Sequence, residues 1–240
     1  MAIHARERKA ASMRKGDTRR EQILLAAESL FYAKGYEQTS VQDILDALHF
    51  SKGGFYHHFE SKLTLLEAIS NMRAEASFEA ASEAMERHAG DPVAQLNAIL
   101  DSGAFLRAER LDYVSLLLRV AYREDGALMR EKLKQRTLEL MLPLMDQVVL
   151  SGIKEGLFVL PQPHLAGELL LRLAAQFTDE VAYILGREGD EGAQIQDILA
   201  KLELYRHAVE RLLSAPFGSV VLYDMNNLAA VCRGLSLRRK

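Results

Sequence analysis

Apolar residues recur three or four positions apart along almost the whole chain, and no stretch alternates apolar with polar residues as a half-buried strand does. The pattern predicts an all-α protein. Its first clear stripe is Ile23, Leu24, Ala27, Leu30 and Phe31. Thr18 and Glu21 stand ahead of that stripe in the order of a capping box, in which each side chain satisfies a free N–H of the first turn. Gly35 can adopt the left-handed conformation that ends a helix, with Tyr36 as an apolar closure. Thr39 and Gln42 suggest a second box, opening a helix that buries Val41, Ile44, Leu45 and Leu48. So short a helix is stable only when packed on its neighbours.

The next segment must therefore supply that packing. After His49-Phe50, Ser51 reads as an N-cap for a two-turn helix through Lys52-Gly53-Gly54-Phe55-Tyr56-His57-His58-Phe59. At 100° per residue, Phe55 and Phe59 share one face. Gly53, Gly54 and His57 gather on the opposite face, flanked by Tyr56 and His58. Two short helices joined by a tight turn, the second with small and polar residues outward, describe a helix-turn-helix.

Beyond Lys62 the chain reads as long helices separated by punctuation. The pattern predicts helices from Lys62 to about His88, from Pro92 to about Ala108, from Leu111 to Arg123 and from Ala127 to Lys154, with Pro143 inside the last. Gly156 caps that helix, and two more come after it, at about 164–186 and 192–213. The organisation expected is a flexible basic arm over 1–17, a helix-turn-helix domain over 18–62 and a larger helical domain over 63–240.

Charge sharpens this picture. The chain carries a formal −3, yet its first 20 residues hold seven basic and two acidic side chains, a local +5, leaving −8 for the remaining 220. A polyanion partner would meet the N-terminal end, unless the arm is only a solvated tail. No apolar run reaches the roughly 18–20 residues that cross a bilayer, and no apolar signal core follows the basic start, so the expectation is a cytoplasmic protein with no membrane partner. Cys232 stands alone, leaving no internal disulfide and no cysteine-rich zinc site. Adjacent residues His57 and His58 point about 100° apart and lack a completing carboxylate pattern, so no metal is expected. The chain has no Gly-rich phosphate loop, no Gly-x-Ser-x-Gly elbow and no His-Glu-x-x-His pair, and these are the signatures that would have suggested an enzyme or a cofactor.

The run Lys34-Gly35-Tyr36, Thr39-Ser40, Ser51-Lys52-Gly53-Gly54-Phe55-Tyr56-His57-His58-Phe59 and Ser61-Lys62 resembles the N-terminal pattern of the tetracycline-repressor (TetR) family over about 50 residues. Two positions depart from it. His49 occupies the turn where the family usually has Gly, and Gly54 stands where a side chain is common. The paired glycines predict a recognition helix that frays when free and orders on DNA, since an interior Gly costs about 1 kcal/mol relative to Ala.

The resemblance implies a DNA-binding regulator, a repressor released from a palindromic operator by a small-molecule effector. An effector-independent repressor or a DNA-associated structural factor is the competing reading. Thr39, Ser40, Ser51 and Lys52 would hold phosphates at helix starts, where free N–H groups and the helix dipole favour anions, although capping alone also accounts for Thr39 and Ser51. Tyr56 and Lys62 are further phosphate contacts by the same resemblance. Gly53, Gly54, His57 and His58 are the base-reading candidates.

In the larger domain the resemblance implies a ligand pocket and a homodimer built on the helices at about 164–186 and 192–213. Candidate pocket residues are Phe105, Tyr113, Arg119, Tyr122, Met141 and Phe177, with Arg119 pointing to an anionic ligand or a structural ion pair. The expected dimer stripes are Leu165, Leu169, Leu173 and Ile184 on one helix and Ile198, Leu202, Tyr205, Val209 and Leu212 on the other.

Overall fold

The computed structural model describes residues 16–102, 127–187, 189–221 and 230. Every regular element among them is a helix: α1 (Gly16–Lys34), α2 (Val41–Leu48), α3 (Lys52–Tyr56), α4 (Lys62–Arg87), α5 (Pro92–Ser102), α6 (Ala127–Lys154), α7 (Pro163–Gly186) and α8 (Glu191–Leu213). The expected arm up to residue 15 and the helix expected at Leu111–Arg123 lie outside the described residues. So do Phe105, Tyr113, Arg119 and Tyr122.

The helices divide into two packed units. Ile23, Ala27 and Phe31 of α1, Ile44 and Leu45 of α2, Phe55, Phe59, and Leu65, Leu66 and Ile69 of α4 close the core of an N-terminal head. Fully burying one such side chain contributes about 1.5–3 kcal/mol, and this shared core lets an eight-residue α2 and a five-residue α3 persist. The second core begins at Met85, near the other end of α4. It gathers Leu96 and Ile99 of α5, Met145, Val148 and Val149 of α6, Leu170, Phe177 and Val181 of α7, and Ile198 and Val209 of α8. Helix α4 therefore belongs to both units. It packs on α1 in the head and on α5 and α6 in the body, while α7 lies between α6 and α8.

Polar pairs fix α4 to its neighbours. Glu28 of α1 is 3% exposed, and its carboxylate accepts from the Arg73 guanidinium at 2.5 Å on both oxygens and from the Tyr32 hydroxyl at 2.9 Å. On the body side Lys132 reaches Glu67 at 3.0 Å and Arg136 reaches Glu75 at 3.5 Å.

Chain breaks fall where the sequence places them. Gly35, Gly90 and Gly156 take positive φ at the ends of α1, α4 and α6. Asp190 caps α8 by accepting from the Ala193 N–H at 2.8 Å. Pro143 sits inside the continuous α6, where it leaves the Glu139 carbonyl without its helical donor.

Three local expectations are corrected. Helix α1 already includes Gly16, so Thr18 lies inside it and is not its cap. The cap of α2 is Ser40, not Thr39. Ser40 accepts from the Asp43 N–H at 3.1 Å, and Asp43 returns a bond to the Ser40 N–H at 2.8 Å, a reciprocal box one residue later than the predicted one. Finally, α3 ends at Tyr56, one turn short of the expected length, with His57 and His58 in the turn after it.

The expected dimer stripe also splits. Leu165 and Leu169 are 58% and 45% exposed, whereas Ile184, Ile198 and Val209 are buried in the body core. Leu173, Leu202, Tyr205 and Leu212 pack against that core, with the Tyr205 ring 5.2 Å from that of Phe177. These positions sit on the inner slope of each helix because α7 and α8 first bury a face against each other and α6. The outward face of α7 carries Leu165, Leu169 and Tyr183, and that of α8 carries Leu204.

Candidate nucleic-acid interface

The turn between α2 and α3 is set by His49, which takes φ 54 and ψ 40, a left-handed conformation at the turn position where the resembling pattern has Gly. Its N–H reaches the Asp46 carbonyl at 3.4 Å, and Phe50 N–H donates to Leu45 at 3.0 Å, closing α2. Ser51 then caps α3 by accepting from the Gly54 N–H at 3.3 Å. Burial follows the predicted helical faces. Phe55 and Phe59 are 0% and 4% exposed and hold α3 on the core, with ring centroids 5.9 Å apart. Ser51, Lys52, Gly53, Tyr56 and His57 are exposed, and Gly54 and His58 are half-buried.

The two glycines are not demanded by the fold. Neither has a positive φ; a Cβ on Gly53 would meet nothing within 4 Å, and one on Gly54 would touch only Ser51 Oγ at 3.6 Å. What they provide is backbone without side chains in the first turn of α3.

Two of the predicted phosphate contacts are engaged inward. Thr39 is 0% exposed, and its hydroxyl donates to the Gly35 carbonyl at 2.8 Å and to Leu30 at 3.3 Å. It locks the α1–α2 turn and offers nothing to a surface anion. Lys62 donates from Nζ to the Tyr36 carbonyl at 2.8 Å and to Glu37 at 3.4 Å, and lies 4.2 Å from the centre of the Tyr36 ring. The head uses this ammonium to pin its first turn to α4. Lys34 is likewise occupied, donating to Asp43 at 2.7 Å. That bond, with the Ser40 N–H and hydroxyl, holds the Asp43 carboxyl far below the usual carboxylate range. Burial, reinforced by Glu37 and Glu67, pushes the Tyr36 phenol up.

Sequence reasoning missed the Ser40–Asp43 box and the Ser61–Thr64 box that starts α4, in which Ser61 accepts from the Thr64 N–H at 3.1 Å. The first was legible as Ser-x-x-Asp. The Glu28–Arg73 pair, 45 residues apart, left no local signal.

Residues 23–69, which span the head from α1 to the second turn of α4, match the family model for bacterial regulatory proteins of the tetR family. The N-terminal head is thus similar to that of tetR-family regulators.

Relatives align over the same region. An uncharacterised helix-turn-helix regulator of Lactococcus lactis is 54% identical over 43 residues, which is 18% of this chain and 22% of that protein. The transcriptional repressor KstR2 of Rhodococcus jostii is 41% identical over 51 residues, 21% of this chain and 25% of that one. The chain thus matches about a quarter of each relative's length. The body is similar to known TetR-family structures in fold alone. A TetR-family regulator from Pectobacterium atrosepticum superposes with a TM-score of 0.57 at 20% identity, covering 84% of this chain and 97% of that one.

Among the described residues no group of His, Cys, Asp and Glu side chains could hold a metal ion, and no helix is long and apolar enough to cross a membrane.

Proposed function

We propose that this TetR-family protein is a transcriptional repressor that binds a palindromic operator as a homodimer and is released by a small-molecule effector. The observation that carries the DNA-binding part is the first turn of α3, where Gly53 and Gly54 leave the backbone bare although the fold has room for a Cβ at both. A side chain is absent there because a ligand's surface comes close, and base edges and sugar-phosphate walls of a major groove are such a surface. Ser40, Ser51 and Lys52 at the starts of α2 and α3 then hold phosphates, Tyr56 adds a hydroxyl, and His57 and His58 read base edges.

A two-fold axis is needed to present two such short helices to one palindrome. The outward face of α7 and α8, with Leu165, Leu169, Tyr183 and Leu204 exposed, is the surface for it. Release would run through α4, whose first turns are part of the head core and whose last turn is part of the body core. A ligand in the body, near Met141, acts by favouring the placement of α4 that misaligns the two heads.

The test is Gly54→Ala in the full chain. Helix propensity predicts a fold at least as stable as the parent, by up to about 1 kcal/mol, whereas close backbone approach predicts at least a tenfold loss of affinity for an operator selected from genomic fragments. Unchanged affinity would remove the reason given for the glycine pair.

A further inference from the structure

The head has five lysines and arginines between residues 16 and 69: Arg19, Arg20, Lys34, Lys52 and Lys62. Two are consumed by the fold, Lys34 on Asp43 and Lys62 on the carbonyls of Tyr36 and Glu37. The other three have no carboxylate or carbonyl partner among the described residues, and all three surround α3. Lys52 is its first residue. The Arg19 guanidinium lies 5.7 Å from the ring centre of Phe50, in the turn just before α3. The Arg20 guanidinium lies 5.2 Å from the ring centre of Phe59, in the segment just after it. Both arginines are exposed. Glu21 and Glu75 line the same cleft as Arg20, yet neither forms an ion pair with it.

We infer that Arg19 and Arg20 are DNA-backbone contacts that grip phosphates on either side of the recognition helix. The inference rests on the proposed DNA binding and adds two residues to it. A guanidinium held against an aromatic face loses little further freedom on binding and keeps its five N–H donors in the guanidinium plane, where a phosphate can take two of them at once. Successive residues on α1 diverge by 100°, which is why the two reach opposite ends of a helix only five residues long. They add charged donors beside α3 that the fold leaves free of the internal bonds made by Lys62 and Thr39. Contacts of this kind set register on the duplex without reading sequence, as a recognition turn with two glycines requires.

The test measures how the operator affinity of the full-length protein depends on salt, by fluorescence anisotropy, for the parent, R19A, R20A, R19A/R20A and R19K/R20K. K154A serves as a control that removes one exposed charge far from the head. Each lost phosphate contact lowers the steepness of log Kobs against log salt by about 0.9, so each alanine substitution should lower it by about 1.8 on a two-fold site and the pair by about 3.6. The lysine pair, with its charge retained, should keep most of the slope, and K154A should keep all of it. Circular dichroism of each variant shows whether the head is folded. A folded R19A/R20A with the parent's slope overturns the inference while leaving DNA binding intact. No duplex binding by the parent overturns both.

Discussion

Replacing Arg73 with Met tests how α4 is joined to the head. The Glu28 side chain is 4% exposed, and both of its oxygens accept from Arg73 at 2.5 Å. Methionine keeps the aliphatic stem in place but leaves a buried carboxylate that has lost both charged donors and keeps the Tyr32 hydroxyl. Breaking a buried pair in this way costs about 3–5 kcal/mol. Urea unfolding at fixed protein concentration at pH 7 measures it. E28Q/R73M, which removes the buried charge, should recover most of the loss. A loss under about 1 kcal/mol for R73M, or no recovery in the double variant, would refute the reasoning.

Three further outcomes are expected. Thr39→Val removes a hydroxyl that serves only protein carbonyls, so it should cost about 1–2 kcal/mol in urea unfolding and leave the salt slope of DNA binding unchanged, whereas a phosphate contact would have lowered the slope. Gly152→Ala should destabilise by about 1–3 kcal/mol despite the gain in helix propensity, because its Cβ would lie 2.1 Å from the buried ring of Phe158; thermal melting reads this directly. Asp146 Oδ1 is buried with no hydrogen-bond partner, and burial holds its carboxyl above the usual range. The raised group favours the folded state below the ordinary carboxylate value near 3.9 and loses that contribution as pH rises through the folded value. Asp146→Asn should therefore be the more stable form at pH 7 in urea unfolding, with its advantage shrinking as the pH falls into the carboxylate range.

Much of the head could be read from local spacing. Phe55 and Phe59 turn inward and Gly53 and His57 outward because a 100° step fixes their faces whatever the partners are. Gly35, His49 and Gly156 take positive φ because few other residue types accept it at a helix end. What spacing could not decide was competition between neighbours. Thr39 and Ser40 both suit an N-cap, and the choice fell to Ser40 because Thr39 reaches the carbonyls of a turn that only the folded head brings near.

Lys62 is a parallel case. Its place in the motif suggested an outward role, but the ring and carbonyl of Tyr36 lie within its reach once α4 folds back on α1. The division of the α7 and α8 stripes into core and outward halves depends equally on tertiary packing, since an apolar residue at helical spacing looks the same whether it faces α6 or solvent.

Hydroxyl-radical footprinting of the full-length protein on a duplex selected from genomic fragments tests the central claim most directly. Two protected patches related by a two-fold axis, with centres about 10 base pairs or a multiple of that apart, are predicted, and they should fade together in Gly54→Ala. A single asymmetric patch, or protection no greater than on a random duplex at about 150 mM salt, would contradict the account.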